Sequence, residues 1–88
     1  MAIKHEVAQA VYVMMEAHMD RRDWHAPIKT TARDFNVLLC QARDAFPHSN
    51  LLSHIDPLDA EDSFGTFFRR LVMLKTAVDS EIIGLQGL

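Results

Sequence analysis

The sequence predicts an all-α fold: a small compact helical bundle of three long helices plus one short helix. Three observations carry that expectation. Apolar residues recur at three- and four-residue spacing through most of the chain, the period of a helix with one buried face. The 88 residues include only three glycines and three prolines, fewer turn formers than a sheet protein of this length needs. The connections between apolar stripes are short, and amphipathic helices joined by short loops bury their stripes by packing on one another. One domain over residues 1–88 is expected, with no internal repeat, linker or low-complexity tract.

The first helix is expected over residues 3 to about 20. At about 100° per residue, Ile3, Val7, Ala10, Val11, Met14 and Ala17 share a face, and Ala8, Tyr12, Met15 and Met19 widen it. The apolar arc covers roughly 220°, more than an ordinary surface helix shows. His5, Gln9, Glu16 and Asp20 hold the polar remainder. Such a helix is central in its bundle or covered by a second chain.

The second helix is expected from about 31 to 46. Thr30 or Thr31 serves as N-cap, and Asp34 stands three residues after Thr31 as in a weak capping box. Phe35, Leu38, Leu39, Ala42, Ala45 and Phe46 form its stripe, Arg33, Asp34, Gln41 and Asp44 face water, and Pro47 ends it. A short third helix at about 50–56 packs Leu51, Leu52 and Ile55. The fourth is expected to start with Asp56 as N-cap and Pro57 at the first helical position, with Asp59 or Ser63 as alternative starts. The carboxylates of Asp56, Asp59, Glu61 and Asp62 suit the positive end of a helix dipole. Phe64, Phe67, Phe68, Leu71, Leu74, Val78, Ile82 and Leu85 line one side, and Gly84 suits the C-terminal stop.

Composition narrows the function. Apolar residues make up 49% of the chain and charged ones 24%, a globular balance. A net charge of −3 lacks the basic excess of a nucleic-acid binder. The single cysteine, Cys40, permits no intrachain disulfide and fits a reducing compartment, so a cytoplasmic location is expected. The apolar run from Ala8 to Met15 is too short to span a bilayer, and neither a signal peptide nor a membrane partner is expected.

Catalytic signatures are missing. The chain has no GxSxG, SxxK, GxGxxG or P-loop pattern, and Cys40 has no base coupled to it. It reads as a small core residue at the edge of the second stripe. The five histidines include no pair at helical metal spacing and none with a glutamate three residues before it. His18 and His25, completed by Glu16 or Asp20, form the remaining metal alternative. The acidic stretch "DPLDAEDS" lacks the glycine of a calcium loop and is better explained by helix capping. A helix-turn-helix over 31–56 fails at its second helix, where "LLSHI" offers nothing to read base edges. No enzyme, cofactor or metal is therefore expected.

The polar connector "DRRDWHAPIKTT", residues 20–31, breaks the pattern. Trp24 and Ile28 would cap the bundle, and Arg21 and Arg22 would sit at the negative end of the first helix. Tryptophan and arginine are also the residues most enriched at binding hot spots. The leading expectation is a non-enzymatic protein–protein interaction module, an accessory or regulatory subunit that associates as a homodimer or with a heterologous protein. Its surplus apolar area signals a partner. The candidate contacts are Tyr12, Met15, Met19, Arg21, Arg22, Trp24, Arg69 and Met73. The alternative is a nucleic-acid-associated regulator using Arg21, Arg22, Trp24, Lys29, Arg33, Arg69 and Arg70. No motif names a family.

Overall fold

A computed structural model describes residues 4–19 and 30–86, with residues 30, 85 and 86 as backbone only. The helices are α1 (Lys4–His18), α2 (Thr30–Ala45), α3 (Asn50–Ser53) and α4 (Phe64–Gln86). Three long helices and one short one form a small all-α bundle.

Local chemistry sets the ends. Thr30 and Thr31 both lie inside α2, so neither is its N-cap. Pro47 stops α2 at Ala45, although the Phe46 N–H still donates to Ala42 O at 2.9 Å. Ser49 caps α3, its hydroxyl accepting the Leu52 N–H at 3.3 Å. That helix covers four residues, not the seven of 50–56, because it closes at His54, whose N–H donates to Leu51 O at 3.2 Å while the Ile55 N–H donates to Leu52 O at 3.3 Å. Of the three candidate starts for α4, Ser63 is the one used. Its hydroxyl accepts the Thr66 N–H at 3.2 Å and its carbonyl accepts the Phe67 N–H at 3.1 Å. The Asp56–Pro57 and Asp59 starts are displaced because residues 55–62 serve another purpose.

That purpose follows from the direction of the helices. The His18 ring, at the end of α1, lies 5.1 Å from the Phe67 ring and 6.1 Å from Phe64, at the start of α4. The Lys4 ammonium, at the start of α1, sits over the Phe46 ring just past α2, 5.7 Å from its centre. Helix α1 thus runs antiparallel to both α2 and α4. Phe35 meets Phe67 edge to face at 6.0 Å, so α2 and α4 begin at the same end of the bundle. After α2 the chain must come back to that end, and residues 54–63 are the return.

An extended return segment has backbone groups that no helix satisfies. Side chains of α2 and α4 satisfy several of them. Asn36 of α2 donates its amide to Leu58 O at 2.8 Å and accepts the Leu58 N–H at 2.7 Å. Arg43, two turns on, donates to Leu52 O at 3.1 Å and also to Ile55 O. Arg70 of α4 donates to Pro57 O at 2.9 Å and stands 3.9 Å from the Asp62 carboxylate. With its backbone held, the segment buries Ile55 and Leu58 against the core.

The expected α2 stripe is buried at all six positions, with Ala32 added to it. On α4, Phe64, Phe67, Leu71, Leu74 and Val78 are buried together with Ala77, while Phe68 and Ile82 are partly covered. The side chain of Leu85 lies outside the described residues. Two expectations fail. Leu51 is exposed rather than packed, since α3 is a single turn and turns only Leu52 inward. On α1 the core takes Val7 and Val11, with Ala8, Met14 and Met15 half-buried, and leaves Ala10, Tyr12, Val13, Ala17 and Met19 exposed. Two neighbouring helices cover only part of so wide an arc.

Replacing Asn36 with alanine (Asn36→Ala) strands the buried Leu58 backbone and is expected to cost about 2 kcal/mol. Gln41→Ala, on the exposed side of the same helix, stays within about 0.5 kcal/mol. Urea denaturation of the two variants checks the contrast, and equal midpoints would remove the clamp from the account.

Candidate interaction surfaces

The expected contact residues separate into four groups. Tyr12 and Met19 lie on one flank of α1, 50% and 59% exposed. Met15, on the same flank, packs against the core instead and is no free contact. Arg69 and Met73 sit on the outward side of α4, both exposed, and Met73 is brought beside Leu51, Val72 and Thr76 in a small apolar groove between α3 and α4. Arg21, Arg22 and Trp24 lie outside the described residues. So do Lys29, of the nucleic-acid alternative, and His25 and Asp20, of the metal alternative.

A second groove was not foreseen. It runs between the outward face of α2 and the return segment, and its apolar lining is Ala32, Val37, Cys40, Leu58 and Ala60. Arg33, Asn36 and Gln41 also line it. Val37 is 52% exposed there. Its only sequence signal is a valine among the polar positions of α2, and the second wall exists because Asn36 holds Leu58 in place.

Cys40 is exposed in this groove rather than filling the core. It lies one turn from Val37 and one residue past the buried Leu39, where the helix surface has already turned outward. The acidic stretch also behaves differently from expectation. Its carboxylates shape the return segment instead of capping α4. Asp59 accepts the Glu61 N–H at 3.1 Å, and Asp62 accepts the Asp59 N–H at 2.8 Å. The cap itself is the Ser63 hydroxyl.

His18 and His54 each face a carbonyl one turn back on their own segment. The His18 Nδ1 lies 2.9 Å from Met14 O, and the His54 Nδ1 2.6 Å from Asn50 O. Among the described residues no three metal-ligating side chains come together, and every buried side-chain polar atom has a partner. Arg70 is committed to the return segment, while Arg33 and Arg69 are exposed on different helices, α2 and α4. The helix-turn-helix reading fails on geometry as well, because α3 is one turn long with Leu52 buried. No described helix is long and apolar enough to cross a membrane. The chain matches no protein-family model, no curated protein and no solved structure.

Placing Cys40 at the surface has a direct consequence. Cys40→Ser is expected to change stability by no more than about 0.5 kcal/mol, as for other exposed positions. The native protein should also be alkylated by iodoacetamide without denaturant. A thiol that reacts only after unfolding would put Cys40 back in the core.

Proposed function

We propose that the chain is a small non-enzymatic protein–protein interaction module that self-associates and serves as an accessory or regulatory subunit, in keeping with a reducing, cytoplasmic setting. The observation that carries this reading is the large apolar side chains left at the surface: Tyr12 and Val13 on α1, and Val72, Met73 and Ile83 on α4, each between 42% and 65% exposed. Single exposed apolar residues are ordinary, but here they repeat along two helices of an 88-residue chain.

Their arrangement supports an interface. On α4, Val72, Thr76 and Ile83 fall on one outward line, with Met73 beside it and Leu51 of α3 adjoining. Such a face can lie against the same face of a second copy, since a two-fold contact uses one patch twice. Methionine suits such a surface, because its unbranched thioether adjusts to whatever it meets. The enzyme reading has no comparable support: among the described residues no nucleophile, base and orienting group are arranged around a cavity.

Light scattering on a size-exclusion peak tests the proposal. The expected mass is about twice the 10.0 kDa of one chain. Met73→Asp and Tyr12→Asp, at exposed positions, should yield monomers with unchanged helical circular dichroism. A monomeric parent chain at all concentrations, with these variants equally folded, would overturn self-association.

A further inference from the structure

The turn that precedes α4 carries a second helix start of its own. Asp59 Oδ1 accepts the Glu61 N–H at 3.1 Å, and Asp62 Oδ2 accepts the Asp59 N–H in return at 2.8 Å. Reciprocal bonding between a residue and the one three on is the pattern of a capping box. The Asp62 N–H also closes the turn on Asp59 O at 3.0 Å. Ala60, Glu61 and Asp62 suit a first helical turn, alanine by propensity and the acids by the positive end of the dipole. Yet the helix that runs on to Gln86 begins after Ser63, whose hydroxyl caps it.

Two contacts hold the chain in this folded-back form, and neither survives a continuous helix. Phe35 and Phe67 meet at 6.0 Å and mark one level of the bundle. Asn36 and Arg70 lie inward of that level, further along α2 and α4. Leu58 and Pro57, bonded to them, are therefore drawn inward past the start of α4. In a helix running unbroken from Asp59, Leu58 would stand about 13 Å outward of Phe67, beyond the reach of Asn36. Asp62 would stand about 12 Å along the axis from Arg70, whereas their charged groups are now 3.9 Å apart. The two arrangements exclude one another, as the positions of a bistable element must.

We infer that residues 57–63 are a conformational switch. α4 begins at Ser63 while Asn36 and Arg70 hold Leu58 and Pro57, and at Asp59, one turn longer, once they let go. In the longer form the Leu58 backbone leaves Asn36, the Arg70 guanidinium is released, and the Leu58 side chain no longer covers the core beside α2. The two latches and the burial of Leu58 favour the short form. The second cap and the added helical turn favour the long one. Each of these contributions is modest, so single substitutions can move the balance.

NMR of the full chain, labelled with carbon-13 and nitrogen-15, tests the switch. Relaxation dispersion in the parent should find residues 59–63 exchanging with a minor form whose Cα shifts are helical. Ser63→Ala removes the cap of the short form and puts a good helix former in its place. It should raise the minor population about fivefold, the factor that a lost cap is worth. Arg70→Gln, at a part-exposed side chain, should shift the balance the same way and speed hydrogen exchange of the Leu58 amide. Adding Asp59→Ala to either variant removes the start of the long form and should cancel the helical shifts. A minor form with coil shifts at 60–63 overturns the inference, because the segment then only frays. So does the absence of a helical form from both the parent and the folded variants. If a variant fails to fold, the parent and the other variant still decide. The readout does not depend on self-association, so its failure leaves the interaction reading standing.

Discussion

Phe67 joins the three long helices. It stands on α4, meets His18 of α1 and Phe35 of α2, and is fully buried. Burial of a phenylalanine supplies about 2–3 kcal/mol of hydrophobic stabilisation, and each well-oriented aromatic pair adds about 0.5–1.5 kcal/mol. Burial therefore dominates the energy, while the edge-to-face geometry decides which ends of the helices meet. Once the starts of α2 and α4 are held together around Phe67, the chain leaving α2 is at the wrong end. It must travel back along the bundle before α4 can begin.

The return segment turns a topological demand into a chemical one. Its amides and carbonyls need partners, and side chains of α2 and α4 supply several of them. Asn36 matches both backbone groups of Leu58 with one side chain, as the next strand of a sheet would. Arg43 takes the carbonyls at the end of α3, and Arg70 fastens the segment from the α4 side. These polar side chains have the core behind them and water in front, so their bonds cost little desolvation and still fix the register of Ile55 and Leu58. The groove beside α2 follows from this. A segment clamped at Leu58 and Pro57 forms a wall, and its remaining carboxylates face outward.

What could be read from the sequence divides along the same line. The stripes of α2 and α4 are repeated local patterns, and Phe35, Leu38, Leu39, Ala42, Phe64, Phe67, Leu71 and Leu74 are buried where helical period places them. The width of the α1 stripe was legible too, but not its use, because period alone does not say how many neighbours a helix has. Val7 and Val11 reach the core while Tyr12 and Val13 do not. The local signals at the start of α4 favoured Asp56–Pro57 over Ser63, and a contact between residues 22 apart, Asn36 and Leu58, holds that stretch as part of the return segment instead. Such a contact leaves no periodic trace. Cys40 was misplaced for a related reason: a residue at the edge of a stripe goes in or out according to what packs beside it. The contacts expected at Arg21, Arg22 and Trp24 fall outside the described residues, so the part of the proposed surface that the structure addresses is the part on α1 and α4.

The division between core and surface bears on how such a small protein could bind partners. A chain of this size buries only about 60–65% of its unfolded surface, so its stability is carried by a few well-packed side chains. Here those are concentrated on one face each of α2 and α4 and around Phe67. Val37, Val72, Met73 and Ile83 contribute little to that core and are half exposed. Helical propensity alone does not require large apolar residues at such places, since alanine, lysine or glutamate form helix as well or better. Exposed valine and isoleucine carry a small cost in helix propensity and a larger one in apolar surface left in water. Coverage by a partner would recover that cost. The exposed apolar side chains of α4 and Val37 in the α2 groove are where such coverage would count most.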